Sequence, residues 1–294
     1  MDELTTKRLA VIKQLYLQGV NQSYDSEPMN GFCLLSFHDS VEMYMKLCAE
    51  IRGARVKRDT NFGDYFTLLP DLLGQSTMTN LNSKRVNLKH HGSLPSKLDV
   101  ETSRVNVTDF FEQNTPIFFE AEFGDISLIS LLKYDSVKEY MSKSLECLDS
   151  EDFENSILNS QIAFMELLFH YKQDKSFGHT SPFKINEHFF HSDGKGIDNS
   201  IDKFVDKTKK SLSNISDMLS IIGFGIDYIK LYKFKILSPH IQQWAEREGN
   251  RYDHLKDEKI IYNKRNAQFC FDFVIESSLQ LQRFDFDISE LRTK

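Results

Sequence analysis

Apolar residues recur along this chain at three- and four-residue intervals, the spacing that lines one face of an α-helix. Residues 4–20 show it in Leu4, Leu9, Val11, Ile12, Leu15, Tyr16 and Leu17, and residues 25–31 then read as a turn. From 31 to 52 the positions Phe32, Leu35, Phe37, Val41, Tyr44, Met45, Cys48 and Ile51 predict a long buried helix stopped by Gly53. A third, short helix is expected over 61–73, broken by Pro70. The next begins with Thr77 or Thr79 as cap and runs into Gly92, a residue suited to the left-handed end of a helix. Val105, Val107, Phe110 and Phe111 place the last helix of a bundle over 100–119.

The pattern restarts near Gly124. Helices are expected over 136–148 and 153–172, and a long loop over 173–200. A long helical run over 200–237 has a kink at Gly223 and Gly225, a charged segment follows from Trp244 to Lys264, and a terminal helix covers 263–284. The aliphatic and glutamate pattern of 157–169 echoes that beginning at Val41, as a divergent duplicate of the first bundle does. The reading is an all-α chain of two domains: a bundle over 1–122 and a second helical domain over 123–294.

Composition agrees with that class. Of 294 residues, 40% are hydrophobic and 27% charged, which separates the chain from disordered sequences. Six prolines interrupt little, and 24 phenylalanines supply large rings for packing between helices. Cys33, Cys48, Cys147 and Cys270 are too scattered for a zinc knuckle or a disulfide framework, so they read as buried thiols in a reducing compartment. The polar N-terminus lacks the apolar core of a signal peptide, and no stretch reaches the roughly 18 apolar residues of a membrane span. A cytoplasmic protein without membrane contact is expected. No cofactor is implied; His188 and His191 beside Asp193 are spaced like metal ligands but lack a convincing fourth partner, so no metal is expected either.

A net charge of −7 argues against a histone-like coating of nucleic acid. The acid lies mostly in the second half: the first 114 residues carry 13 Lys and Arg against 14 Asp and Glu, the remainder 23 against 29. Basic residues concentrate at Lys84, Arg85, Lys89, His90 and His91, just before Gly92. Such a cluster at a helix end complements the macrodipole, its ordinary use. It also combines a guanidinium fork that fits a phosphate with imidazoles that move protons near neutral pH, the minimal groups for cutting RNA without a metal. Asn87 shares the face of His90 and His91 and is placed to orient an imidazole or touch a phosphate.

Arg85 and His90 are five positions apart, about 140° around an unbroken helix. Convergence on one phosphate then needs either an unwound helix end or two copies of the segment facing each other. Glu42 is placed to hold the Arg85 guanidinium, and His38, one turn earlier, joins its face, although a lone helix histidine reads as structural. Arg52, Arg55, Lys57 and Arg58 form a second basic cluster, either a solvated loop or an extension of an RNA-binding surface with Lys84 and Lys89.

The Arg85-to-His90 spacing, with His91 also in range, resembles that of the HEPN family of all-helical nucleotide-binding domains. Ser36 to Lys46 looks like that family's second helix, with Glu42 at its acidic position. The run Lys89-His90-His91-Gly92 followed by Leu94-Pro95-Ser96 looks like its motif exit. The resemblance covers about the first 120 residues and departs at Val86, where active members often carry a polar side chain. It implies a metal-independent endoribonuclease, used as a toxin or antiviral effector and working as a homodimer or through a composite site between the two halves of one chain. RNA is then the substrate, with a neutralising or regulatory protein as a further partner. Val86 leaves one alternative: a non-catalytic helical module that binds and regulates a partner protein or nucleotide.

Overall fold

The computed structural model describes residues 1–174, 199–246, 249–254 and 260–283. They are overwhelmingly helical and divide into two compact units, Met1–Leu131 and Leu132–Lys294.

Four long helices build the first unit: α1 (Glu3–Gln22), α2 (Cys33–Ile51), α4 (Gln75–His91) and α5 (Lys97–Phe119), with a single-turn α3 (Tyr65–Leu68) between α2 and α4. Helix α1 begins where the Asp2 carboxylate accepts the Thr5 N–H at 2.7 Å, and it buries Leu9, Ala10, Ile12 and Tyr16 against α2. Gly19 permits this approach: a Cβ there would lie 2.6 Å from the Phe37 ring. The core is aromatic. Tyr44, Phe110 and Phe111 meet edge to face at 5.2–5.6 Å, and Phe111 stacks on Phe123 at 4.4 Å.

The structure departs from the periodicity in three places here. Residues 61–73 contain only a 3-10 turn (Phe62–Asp64) and α3, because Leu69, preceding Pro70, leaves helical geometry at φ −125° and ψ 82°. Buried Asn114 of α5 pins the segment that follows, accepting from Leu73 N at 2.8 Å and donating to Leu73 O at 3.2 Å. Neither Thr77 nor Thr79 caps α4. Left-handed Gly74 precedes it, and the two hydroxyls donate back to the carbonyls of Gly74 and Gln75. Helix α5 starts at Lys97 because Ser96 and Asp99 form a reciprocal capping box, three residues earlier than the apolar pattern indicates.

In the second unit α6 (Asp135–Asp149) and α7 (Phe153–Asp174) pair closely, with Ser144, Ser156 and Ser160 sharing hydroxyl hydrogen bonds where they meet. Helix α8 (Asn199–Gly223) is followed by α9 (Tyr228–Leu237) and, after a hairpin, α10 (Lys264–Gln282). Phe164, Phe234 and Phe273 join α7, α9 and α10 in one aromatic cluster with centroids 4.6–5.2 Å apart. A hairpin runs into the charged segment: β1 (Ile241–Glu246) pairs antiparallel with β2 (Gly249–His254), Trp244 opposite Arg251. His188, His191 and Asp193 lie outside the described residues. No helix among the described residues is long and apolar enough to cross a membrane.

Candidate functional site

Helix α4 directs its chemistry through an interrupted apolar stripe. Met78, Leu81 and Leu88 are buried, and position 85 falls four residues after Leu81 and three before Leu88. Arg85 therefore occupies the inward stripe, turned toward α2, where a fourth aliphatic side chain would ordinarily pack. Its Nε is shielded from solvent and has no hydrogen-bond partner. Arg85 acts electrostatically on two α2 residues, His38 and Glu42.

Those two belong to a compact polar cluster. His38, 3% exposed, stacks on Phe62 at 4.6 Å and places Nε2 3.0 Å from Asn82 Oδ1 on α4. Its Nδ1 lies 3.3 Å from Asp39 Oδ1 and 3.9 Å from Glu42 Oε2. The second Glu42 oxygen receives the Lys46 ammonium at 2.5 Å. Burial pushes the His38 pKa down; Asp39 works against that and Arg85 with it. For Glu42 burial acts upward, but Lys46, His38 and Arg85 together outweigh it and hold the carboxyl below its ordinary value. Glu42 is thus ionised at neutral pH, and its direct partner is Lys46 rather than Arg85.

The proposed imidazoles lie elsewhere on the helix. Helix α4 stays wound through His91 and ends at Gly92, left-handed at φ 64°, whose N–H bonds to the carbonyl of Leu88 while the Ser93 N–H reaches that of Asn87. An unwound end that swings His90 or His91 back toward Arg85 is therefore ruled out. Asn87, His90 and His91 share an exposed face, and Lys89 is exposed beside them, about 140° from Arg85 in the case of His90. Within one copy, then, the structure brings together Arg85 and Glu42 but not Arg85 and His90 or His91.

The basic residues also divide. Lys84 is tied to Asp99 at 3.0 Å, and Arg52 reaches the Ile117 carbonyl at 3.3 Å while lying over the Phe118 ring. Arg55, Lys57 and Arg58 are exposed in the loop after α2. Asp39 and Asn82 were not among the sequence-derived site residues. One signal was available: Asn82 precedes Arg85 by one helical turn, and Asp39 adjoins His38. The second unit buries a carboxylate too, Glu166, which accepts from the Tyr252 hydroxyl and sits 3.3 Å from His170 Nε2. No protein-family model, curated protein or solved structure matches this chain, so the site is read from its own geometry.

Proposed function

We propose that the chain is a metal-independent endoribonuclease of the HEPN type, a toxin or antiviral effector whose site forms between two copies. One observation carries this reading. Arg85 is a cation placed on the buried stripe of α4 with no ion pair among the described residues, beside Glu42 that is already neutralised by Lys46. Arg85 is half-buried, and a guanidinium whose Nε is closed to solvent without a partner is suited to an anion that arrives from outside.

A phosphodiester is the anion that fits the neighbouring chemistry. His90 or His91 of a second copy takes the proton of the RNA 2′-hydroxyl, whose oxygen attacks phosphorus; charge grows on the phosphoryl oxygens until the P–O5′ bond breaks, leaving a 2′,3′-cyclic phosphate and a 5′-hydroxyl that takes its proton from the imidazolium or from water. Arg85 stabilises that charge by hydrogen bonding to the phosphoryl oxygens. Two copies are required because α4 is unbroken between Arg85 and His91. Exposed Lys89, Arg55, Lys57 and Arg58 hold the flanking backbone in this scheme.

The separation of Arg85 from both imidazoles within one copy also favours a second reading, a non-catalytic module that binds and regulates a partner. Single-stranded RNA in EDTA distinguishes them. Wild type cleaves, and Arg85→Ala and the double variant His90→Ala/His91→Ala do not. Mixing the two inactive proteins and letting copies exchange restores about one quarter of the intact sites if each site draws on both chains. Equal cleavage by all preparations removes the assignment, and absence of cleavage by wild type leaves the binding module.

A further inference from the structure

The His38 cluster holds an arrangement that the nuclease scheme does not use. His38 Nε2 lies 3.0 Å from Asn82 Oδ1 and Nδ1 3.3 Å from Asp39 Oδ1, so a neutral ring donates its one proton to one of these two acceptors; the shorter contact, to the Asn82 carbonyl, favours Nε2. Nδ1 then carries a lone pair. It faces Asp39 Oδ1 at 3.3 Å and Glu42 Oε2 at 3.9 Å, and the three atoms lie within 4.8 Å of one another. In that tautomer three electron-rich atoms converge on one point. Lys46 holds the other oxygen of Glu42, which leaves Oε2 free to ligate.

We propose that His38 Nδ1, Asp39 and Glu42 bind a divalent first-row transition metal ion, with Asn82 as the residue that fixes the histidine tautomer. The spacing fits. Zinc bonds to nitrogen and oxygen run about 2.0–2.2 Å, which sets the edge of a tetrahedron at about 3.3–3.6 Å. The His38–Asp39 distance already equals such an edge, the His38–Glu42 distance needs a contraction of a few tenths of an ångström, and the Asp39 and Glu42 oxygens, within 4.8 Å of each other, close the third edge by rotation of two partly exposed side chains. The donor set of one imidazole and two carboxylates suits zinc and its neighbours better than magnesium or calcium, which take oxygen alone. A ligating histidine that donates its second N–H to a carbonyl is the usual outer support of such sites. Asp39 and Glu42 are partly exposed, with side-chain values of 55% and 33%, which leaves the fourth position open to water.

Arg85 opposes a cation here, so its removal tightens binding, the reverse of its effect on any anion. The site does not depend on the nuclease reading, and occupancy is measured without RNA. Full-length protein carrying His188→Ala/His191→Ala, which removes the histidines that the sequence spaces like metal ligands, is stripped with EDTA and titrated with Zn2+ against a chromogenic chelator. One ion per chain is expected. Asp39→Asn, Glu42→Gln and Asn82→Ala each weaken it by about tenfold or more, Asn82→Asp preserves it, and Arg85→Ala strengthens it. Circular dichroism confirms that each variant is folded, and Co2+ in place of Zn2+ gives the visible spectrum of a tetrahedral site. If no ion binds, or if Asp39→Asn and Glu42→Gln bind as the parent does, the assignment is overturned. The proton then sits on Nδ1, and Asn82 presents its amide nitrogen.

Discussion

The imidazole of His38 and the side-chain amide of Asn82 join helices α2 and α4 through a contact of 3.0 Å at a position almost closed to solvent. Neither residue belongs to the apolar core, yet their pairing sets where Arg85 stands, because Asn82 lies one turn before it. Asn82→Ala leaves a buried ring nitrogen without its partner and is expected to cost about 1–3 kcal/mol. Urea denaturation of metal-stripped protein measures it. A loss below a few tenths of a kcal/mol shows that water replaces the amide.

Gly19 faces the ring of Phe37 across the α1–α2 crossing, so close that a Cβ would lie only 2.6 Å from it. Gly19→Ala overpacks this contact and costs about 1–3 kcal/mol, even though alanine favours helix. Adding Phe37→Leu to Gly19→Ala recovers part of the loss relative to Phe37→Leu alone. Additive effects of the two substitutions show that the crossing relaxes freely.

Asp99 closes the capping box of α5; the Ser96 hydroxyl, then Lys84, lower its pKa below the ordinary 3.8. A depressed carboxylate contributes stability that is complete above the unfolded value and disappears as pH falls through the folded one. The group is half-exposed and solvent screens it, so Asp99→Asn costs about 0.5–1 kcal/mol at neutral pH. Thermal melts of the two proteins converge below pH 3.8 as the wild-type carboxyl protonates. A difference that persists to the acid end assigns the effect to packing instead.

Burial pushes the thiols of Cys33 and Cys270 up to about 12, and that of Cys48 further in the same direction. Thiolate is the reactive form, so these three are inert near neutral pH while the fold is intact. Ellman's reagent at pH 8 is expected to label at most Cys147 in native protein and all four residues in guanidinium chloride. Rapid labelling of two or more native thiols contradicts the packing around α2 and α10.

Phe164 is fully buried and contacts both Phe234 and Phe273 at 5.2 Å. Phe164→Ala opens a cavity in the second unit and costs about 3–5 kcal/mol. Phe164→Leu fills most of that volume and costs much less. Denaturant midpoints for the pair measure the difference.

Helix positions in both units were legible from spacing because a buried helix face repeats its apolar residues whatever it packs against. The pattern misses elements whose cause is local. Leu69 before Pro70 ended a helix that the surrounding apolar residues continued, and Ser96 with Asp99 began α5 before its first buried side chain. The hairpin at Trp244 was hidden by charge, since backbone pairing between β1 and β2 leaves little mark in a polar sequence.

The sequence alone determined that this chain is helical, that Gly92 ends the basic helix and that Arg85 and His90 stand on different sides of it. Each of these follows from local backbone chemistry and from the 3.6-residue turn. Only the tertiary structure decided which of those sides is inward. Packing α4 on α2 through Met78, Leu81 and Leu88 carried Arg85 toward His38 and Glu42 and left His90 and His91 in solvent. A helix has no inside until a second helix covers one of its faces, so the meeting of Asn82 with His38, 44 positions earlier, was absent from any local pattern.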